Sequence, residues 1–447
     1  MLHWLQKSHC TQIIKRYHCN VFKSFCAVCF NFHQQMTNFA PKITPVKKHL
    51  KKIWLLSRKP IYAILLIAAM VVVATSGSYI YNFAEPKPFS GPDIFNPYRD
   101  IDTAHCWKKA NFHTHTRVEG IFNECKYWPG DVYKFYERLG YDIVTFSNHN
   151  ELTTHPFDKS LQVNVYEHGY NLFKFHKLVF GSKETNSFDH LFPFLPSQMQ
   201  FQIDLLRDEN DIIQFNHPLH TLCATKDAME KLGGYDIIEI DFDGNSECEY
   251  WDWALSAGRY SFALAGDDLH NPDDTHRIAK SCSFICSPSA TYDDIKKTLL
   301  GGCYYSMRIP DHGNGNWDIK IEKNKQLPYI EDIGLKGDTI FIELSHIAER
   351  IRIIGQNHTT LLNVNGCDSA EYVMKKGDSY ARFIIDFPSG EVLFTNPFAR
   401  YDKSKAESPI NKNLYSVNVF LTILFNATLL ALLAFLVFTF YKVIIKR

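Results

Sequence analysis

The chain has 447 residues, 45% of them apolar and 14% aromatic, enough for two or three domains with a large core. Its formal net charge of zero hides an asymmetry. Residues 1–84 hold eleven Lys/Arg and no acid, while all 48 acidic residues lie between Glu85 and Glu407 with 33 Lys/Arg, a net of about −15. That acidity argues against a nucleic-acid backbone as partner of the central region, and none is expected.

In chain order, residues 1–59 read as a basic tail with little periodicity. Its Cys26-x-x-Cys29 has no second half at useful spacing, so it is not read as a zinc knuckle. Ile61–Ile80 is 20 residues without a charge, and Val417–Tyr441 is 25. Both are long enough to span a bilayer, so helices over 60–82 and 416–441 are predicted as transmembrane spans. A cleaved signal segment is the alternative for the first. Lys47, Lys48, Lys51, Lys52, Arg58 and Lys59 precede the first span, and Lys442, Lys446 and Arg447 follow the second. The positive-inside rule then places both termini in the cytoplasm and residues 85–410 outside it, in a periplasm, lumen or extracellular space. Eight Cys fall in this outer region, where disulfides are permitted but their pairing is not given.

Residues 83–104, with Pro86, Pro88, Pro92 and Pro97, predict an extended linker. From 105 to 312, apolar runs alternate with polar loops and helical stretches. The predicted strands are Asn111–His113, Asp142–Phe146, Lys177–Phe180, Asp211–Phe215, Asp236–Ile240, Ser261–Ala265 and Ser281–Ile285. The predicted helices are Asp131–Leu139, Gln200–Asn210, Lys226–Leu232 and Tyr292–Leu300. Such alternation predicts a parallel sheet covered on both sides, an α/β fold of TIM-like barrel type. Residues 313–402 show period-two runs between Gly and Asn turns and predict a small all-β sandwich. Residues 403–415 are predicted as a second linker.

In a parallel barrel, the loops after the strands share one mouth. His113 and His115, two apart, project to one face of an extended segment. His-x-His alone is a weak signal. Here, however, His149, Glu184, His190, His217, Asp268 and His270 follow later strands. Nitrogen and oxygen donors without Cys suit Zn²⁺, Mn²⁺ or Fe. Taken singly, each has a plain alternative: a core or capping histidine, a surface Glu184, or Asp268 as a helix N-cap.

The ordered set His113-Thr-His115, Asn148-His149-Asn150, Gly181-Ser-Lys-Glu184, Asn216-His217-Pro218 and Gly266-Asp267-Asp268-Leu269-His270 resembles the PHP (polymerase and histidinol phosphatase) family of metallohydrolases. The resemblance implies a distorted seven-stranded β/α barrel, two or three metals at its mouth, and phosphoester hydrolysis. It suggests one metal held by His113, His115, Glu184 and Asp268. Glu184 would bridge to a second metal with His190 and His217, and a third would sit with His149, His270 and Glu119. Asn148 stands where the family has an Asp. The stretches Tyr380-Ala-Arg-Phe and Thr395-Asn-Pro-Phe are similar to the domain appended in the carbaryl-hydrolase-like branch, which widens the substrate class to carbamates and other esters.

The function expected is metal-assisted hydrolysis of a small-molecule ester by a membrane-anchored enzyme. A water would be activated beside Glu184, and His149 or His270 would protonate the leaving group. Arg117, Lys183 and Arg308 are candidate phosphate contacts. The competing readings are an inactive metal-binding scaffold and a membrane sensor. The short end after Tyr441 leaves the sensor no output domain.

Overall fold

The computed structural model describes residues 45–101, 107–119, 123–242, 244–246, 248–410 and 414–446. The described part of one unit is helical over 45–68 and 438–445, and residues 69–437 form the other, compact unit. The expectations for the tail's cysteines and for Cys106 fall outside the described residues.

The fold is mixed α/β. Helix α1 (Pro45–Ala74) is followed by β1 (Tyr81–Phe83) and β2 (Asp93–Phe95). Next come β3 (Trp107–Asn111), α2 (Pro129–Arg138), β4 (Ile143–Val144), β5 (Val165–His168), β6 (Lys177–Phe180), α3 (Pro196–Arg207) and β7 (Ile212–Phe215). The short helix α4 (Lys226–Met229), β8 (Ile237–Phe242), β9 (Asn245–Ser246), α5 (Cys248–Ser256), β10 (Phe262–Gly266), β11 (Ser281–Cys286), α6 (Tyr292–Gly301) and β12 (Tyr304–Arg308) continue the chain. After α7 (Trp317–Asn324) the strands are β13 (Ile330–Lys336), β14 (Thr339–Gly355), β15 (Thr359–Val373), β16 (Tyr380–Asp386), β17 (Val392–Thr395), β18 (Phe398–Tyr401) and β19 (Tyr415–Val417). Helix α8 (Val419–Phe440) follows.

Buried apolar runs become strands near the predicted places, because residues apolar on both faces need cover on both faces. Their directions differ from an all-parallel sheet. One sheet has the order β10-β8-β7-β6-β5. Within it β7–β8 and β8–β10 are parallel, but β6 is antiparallel to both β5 and β7. In the other sheet β3 and β4 pair in parallel, while β11 lies antiparallel to β3. The two sheets meet through isolated bridges, Thr114 with Leu269 and His149 with Glu167. Strands β5 and β12 and helices α5 and α7 are among the elements that the sequence did not predict.

The C-terminal strands are continuous with the first part of the chain. Strand β17 pairs with β12, so β13–β18 extend the sheet that holds β11, β3 and β4. The joint is also polar: Arg382, fully buried on β16, donates to Asp252 of α5 at 2.7 Å. The Pro-rich segment is packed, not a free linker. Its β2 pairs with β18, and Lys87 N–H bonds the carbonyl of Ala257. A Cβ on Gly258 (φ +77°) would meet the Lys87 carbonyl oxygen at 2.1 Å, so the turn requires glycine.

Among the described residues one helix is long and apolar enough to cross a membrane, Val419–Ile445. The first predicted span behaves differently. Its helix stops at Ala74, where the Thr75 and Ser76 hydroxyls bond back to Val71 and Val72 carbonyls at 2.9 and 2.6 Å. Tyr81–Phe83 is then a strand paired with Tyr415–Val417. Among the described residues of the outer region, Cys125, Cys223, Cys248, Cys282 and Cys367 are free thiols.

Candidate metal centre

Strands β3, β5, β8 and β10 and the loops beyond β4 and β7 deliver one cluster of imidazoles and carboxylates. Its centre is Glu167, on β5 and 1% exposed. Glu167 Oε1 lies 3.3 Å from His113 Nε2, and 3.2 Å from both His176 Nδ1 and His217 Nε2. Its Oε2 lies 3.2 Å from Nε2 of both His115 and His149. Asp268 Oδ1 stands 3.1 Å from Nε2 of both His113 and His115. Glu124 Oε2 is 3.4 Å from His115 Nδ1 and 3.3 Å from His149 Nε2, with His270 Nε2 at 3.6 Å.

Three groupings have donor atoms close enough to share an ion: His113, His115, Glu167 and Asp268; His115, Glu124 and His149; and His149, Glu167 and His176. The donor chemistry fits divalent Zn, Mn or Fe. Donors ~2.0–2.2 Å from one tetrahedral ion stand roughly 3.3–3.6 Å apart, close to the spacings above. His113 Nε2 and His115 Nδ1 are buried and make no hydrogen bond, despite carboxylate oxygens within 3.4 Å. Buried polar atoms are rarely left so, and cations bound beside the neighbouring carboxylates would satisfy them.

A second layer fixes the ligands. Glu239 of β8, fully buried, accepts from His113 Nδ1–H at 2.9 Å. That bond leaves the Nε2 lone pair for the cluster. The other Glu239 oxygen accepts His217 N–H at 2.9 Å. Asp267 accepts backbone N–H groups of Ala279, Lys280 and Ser281 and so anchors the loop carrying Asp268. Asn150 (φ +49°), His217 (φ +27°) and Asp268 (φ +47°) lie in the left-handed region, which non-glycine residues seldom occupy. Three such residues at one site mark strain held by its surroundings.

Electrostatics follow the crowding. Burial opposes charge on His113, yet Glu239, Asp268 and Glu167 hold its pKa well above the ordinary value. Burial likewise opposes charge on His115, but Asp268 and Glu167 raise it to about 9. Burial dominates at His149 and pushes it down to about 4. Glu167 and Asp268 are held well below the carboxylate range against burial, the first by His149, His113 and His176, the second by His113 and His115.

Of the residues expected at the site, His113, His115, His149, His217, Asp268 and His270 come together. Glu184 does not: it is exposed, and Glu167 takes its place. Strand direction is the cause. Because β6 is antiparallel to β5, the turn after β6 lies at the far end from Glu167, and the residue before β6, His176, lies at the near end. His190 is buried, but its ring is held by Gln202 at 3.0 Å and by the Gly77 carbonyl at 2.9 Å. His176, which was not among the expected residues, joins the cluster where His190 was expected. Glu119 is exposed, and Glu124 reaches the cluster instead. Asn148 does not polarise His149. Its amide braces the loops, accepting from Thr116 N–H and donating to the Thr116 and Thr153 hydroxyls, each at 2.7 Å. The available signal for Glu167 was the alternation Val163-Asn-Val165-Tyr-Glu167-His, which marks a strand ending in ligand-type residues. Glu124 had no spacing signal.

Two cavities open over the cluster, both lined by Asn123 and Glu124. One of about 570 Å³ also meets Arg117, Lys126 and His270, and one of about 630 Å³ meets Thr116, His149 and Tyr170. Arg117 is exposed and stacks over Trp128 at 5.2 Å. Lys183 and Arg308 line neither cavity. Arg308 pairs with buried Asp241 at 3.2 Å, and Lys183 is exposed on the same turn as Glu184.

No protein-family model matches the chain, and no curated protein matches it. Two solved structures are similar to it. One is a two-domain protein from Bacteroides vulgatus containing a predicted PHP-like metal-dependent phosphoesterase, at 14% identity, covering 71% of this chain and 100% of that one, with a TM-score of 0.34. The other is the lesion-specific endonuclease EndoQ of Pyrococcus furiosus, at 14% identity, covering 44% of this chain and 56% of that one, with a TM-score of 0.32.

Proposed function

We propose that this protein is a membrane-anchored, metal-dependent hydrolase of phosphoesters, as the PHP resemblance implies. One observation carries the reading: the buried Glu167 carboxylate, within 3.3 Å of five imidazoles. Its two oxygens can serve neighbouring ions, and such sharing is the basis of two-metal hydrolysis. On this reading β3–β8 and β10 make the distorted seven-stranded barrel, with the two isolated bridges joining its sheets at the mouth.

His113, His115, Glu167 and Asp268 would hold one ion. His149, Glu167 and His176, with His217 beside them, would hold another, and the grouping of His115, Glu124 and His149 shares its imidazoles with both. Bound divalent ions would supply a water acidified toward neutrality and positive charge for the attacked group. In the hydrolysis, the water oxygen bonds phosphorus, one ester P–O bond breaks, and the released alcohol takes the proton. His270, at the open rim beside Glu124, is the proton donor we assign. His149, held neutral by burial, is a lone-pair donor instead. Arg117 at the cavity edge is placed to meet a phosphate oxygen.

The span Val419–Ile445 supports an anchored protein. Lys442, Lys446 and Arg447 at its C-terminal end favour a cytoplasmic C-terminus, with residues 85–410 outside the cytoplasm. A topology reporter fused after Lys405 tests this: activity restricted to the cytoplasm would overturn it.

The decisive experiment measures bound metal in the detergent-solubilised full chain, together with turnover of p-nitrophenyl phosphate, bis-p-nitrophenyl phosphate and a naphthyl carbamate. Two or three divalent ions with phosphoester turnover is the expected result. Turnover of the carbamate alone would move the activity to the ester and carbamate class. Metal without turnover would make the chain a binding scaffold.

A further inference from the structure

The loops at the metal-cluster end carry an apolar surface that the fold leaves open. Leu222 is 72% exposed and Phe194 62%, and Leu172, Leu195 and Leu219 are exposed as well. They form one patch. Leu172 N–H bonds the Leu191 carbonyl at 3.1 Å, and Leu222 N–H bonds the Phe173 carbonyl at 2.9 Å. The Phe173 ring packs edge-on against Phe192 and Phe194, with centroids 5.5 and 5.2 Å apart. Monomeric soluble domains seldom expose contiguous apolar surface of this kind.

This patch is continuous with the apolar helix. The His190 ring bonds the Gly77 carbonyl at 2.9 Å, and Gln198, in the first turn of α3, bonds the Ser76 carbonyl at 2.9 Å. Ser78 is bonded in turn by Asn426 of α8, whose Nδ2 donates to the Ser78 carbonyl at 2.8 Å. The Ile80 N–H donates to Thr422 at 2.9 Å. Asn426 lies seven residues past Val419, about 10 Å along a helix at 1.5 Å per residue. The apolar span Val419–Ile445 has 27 residues, about 40 Å, roughly 10 Å longer than a bilayer core of about 30 Å. The edge formed by His190, Leu195 and Gln198 is therefore tied to the second turn of the apolar helix, at the depth of a membrane interface. The metal site opens from the same end: Tyr170, which lines the larger cavity, is two residues from Leu172, and His217 is two residues from Leu219.

We propose that the loops around Leu172, Phe194 and Leu222 seat in the lipid interface, so that the metal site faces the headgroup layer and takes a lipid phosphoester as substrate. This rests on the hydrolase reading for its chemistry and on α8 for its geometry. Water would add to the headgroup phosphorus, one ester P–O bond would break, and the alcohol released would take the water's proton.

Two measurements test it on the full chain reconstituted in vesicles of equimolar phosphatidylcholine and phosphatidylglycerol. In the first, a phosphatidylcholine with a photoreactive diazirine near the top of its acyl chain is irradiated and the crosslinked peptides are mapped. Adducts on residues 170–176 and 217–224 as well as on α8 are expected. Adducts on α8 alone would overturn the docking surface, whatever the activity. In the second, the double variant Leu172→Glu, Leu222→Glu is compared with the wild type on vesicle phospholipid and on soluble p-nitrophenyl phosphate. We expect lipid turnover to fall at least about tenfold, as the loss of two buried leucines predicts, with soluble turnover unchanged. Equal lipid turnover in the two proteins overturns the proposal. A wild type that turns over the soluble ester but no lipid overturns the substrate class and leaves the hydrolase intact. One that turns over neither sinks the hydrolase reading, with the crosslinks still judging the surface.

Discussion

Glu239 backs His113: its Oε1 accepts from Nδ1–H at 2.9 Å, with both side chains out of contact with water. A carboxylate in that place fixes the imidazole tautomer, orients the ring and makes Nε2 a better donor. Glu239 also accepts the N–H of His217, so one side chain sets the direction of two candidate ligands from different loops.

Glu239→Gln keeps the volume but lets an amide N–H face His113. We expect metal affinity to fall about 10–100-fold, the usual range for losing such a partner. Competition against a calibrated chelator measures it. Unchanged affinity would mean that Glu239 has no part in orienting His113.

Glu167→Gln and Glu184→Gln separate the two candidate bridging carboxylates. The first is expected to lose metal and turnover by orders of magnitude, because five imidazoles converge on its oxygens. The second, on an exposed turn at the far end of β6, is expected to match the wild type in both. The reverse pattern would restore the assignment read from the sequence motif.

The chelated protein has its own pH signature. His115, raised from 6.5 to about 9, contributes stability that is full below its ordinary value and is lost as pH rises through about 9. His113, raised as well, acts in the same direction. Glu167 and Asp268, both depressed, contribute stability above the ordinary carboxylate range that is lost as pH falls. The Tm of the metal-free protein should therefore decline from about pH 6.5 to 9. Added metal should flatten that decline, since it takes the place of protons on the same nitrogens. Thermal scans with and without chelator across this window decide the matter, and a metal-free Tm that rises over it would contradict the assigned pairs.

Gly266 lies where β10 passes β3. A Cβ there would meet His113 Cβ at 2.8 Å and Glu239 Oε1 at 3.0 Å. Neither neighbour has room to retreat inside the cluster, so Gly266→Ala should destabilise by about 1–3 kcal/mol and weaken metal binding together. Urea midpoints and metal titration read the two effects. Full stability with weakened metal binding would show that the ligands yield before the fold does.

Much of this protein was legible in one dimension. Buried strands such as Lys177–Phe180 announce themselves because both faces must be apolar, and His113-x-His115 shares a face because a strand repeats every two residues. The helix Val419–Phe440 follows from length and composition alone. Strand direction is different: an apolar run looks the same read either way, so only the hydrogen-bond register between β5 and β6 reveals that β6 runs backwards. That single reversal moves Glu184 away from the cluster and brings His176 to it. Glu167 was hidden for a related reason. It is the third residue of a four-residue strand, and its meaning comes from imidazoles at 113, 115, 149, 176 and 217, brought within 3.3 Å by long-range pairing. Residue types and local periods are properties of neighbours along the chain. Which carboxylate five loops converge on is a property of packing, and the tertiary structure alone decided it.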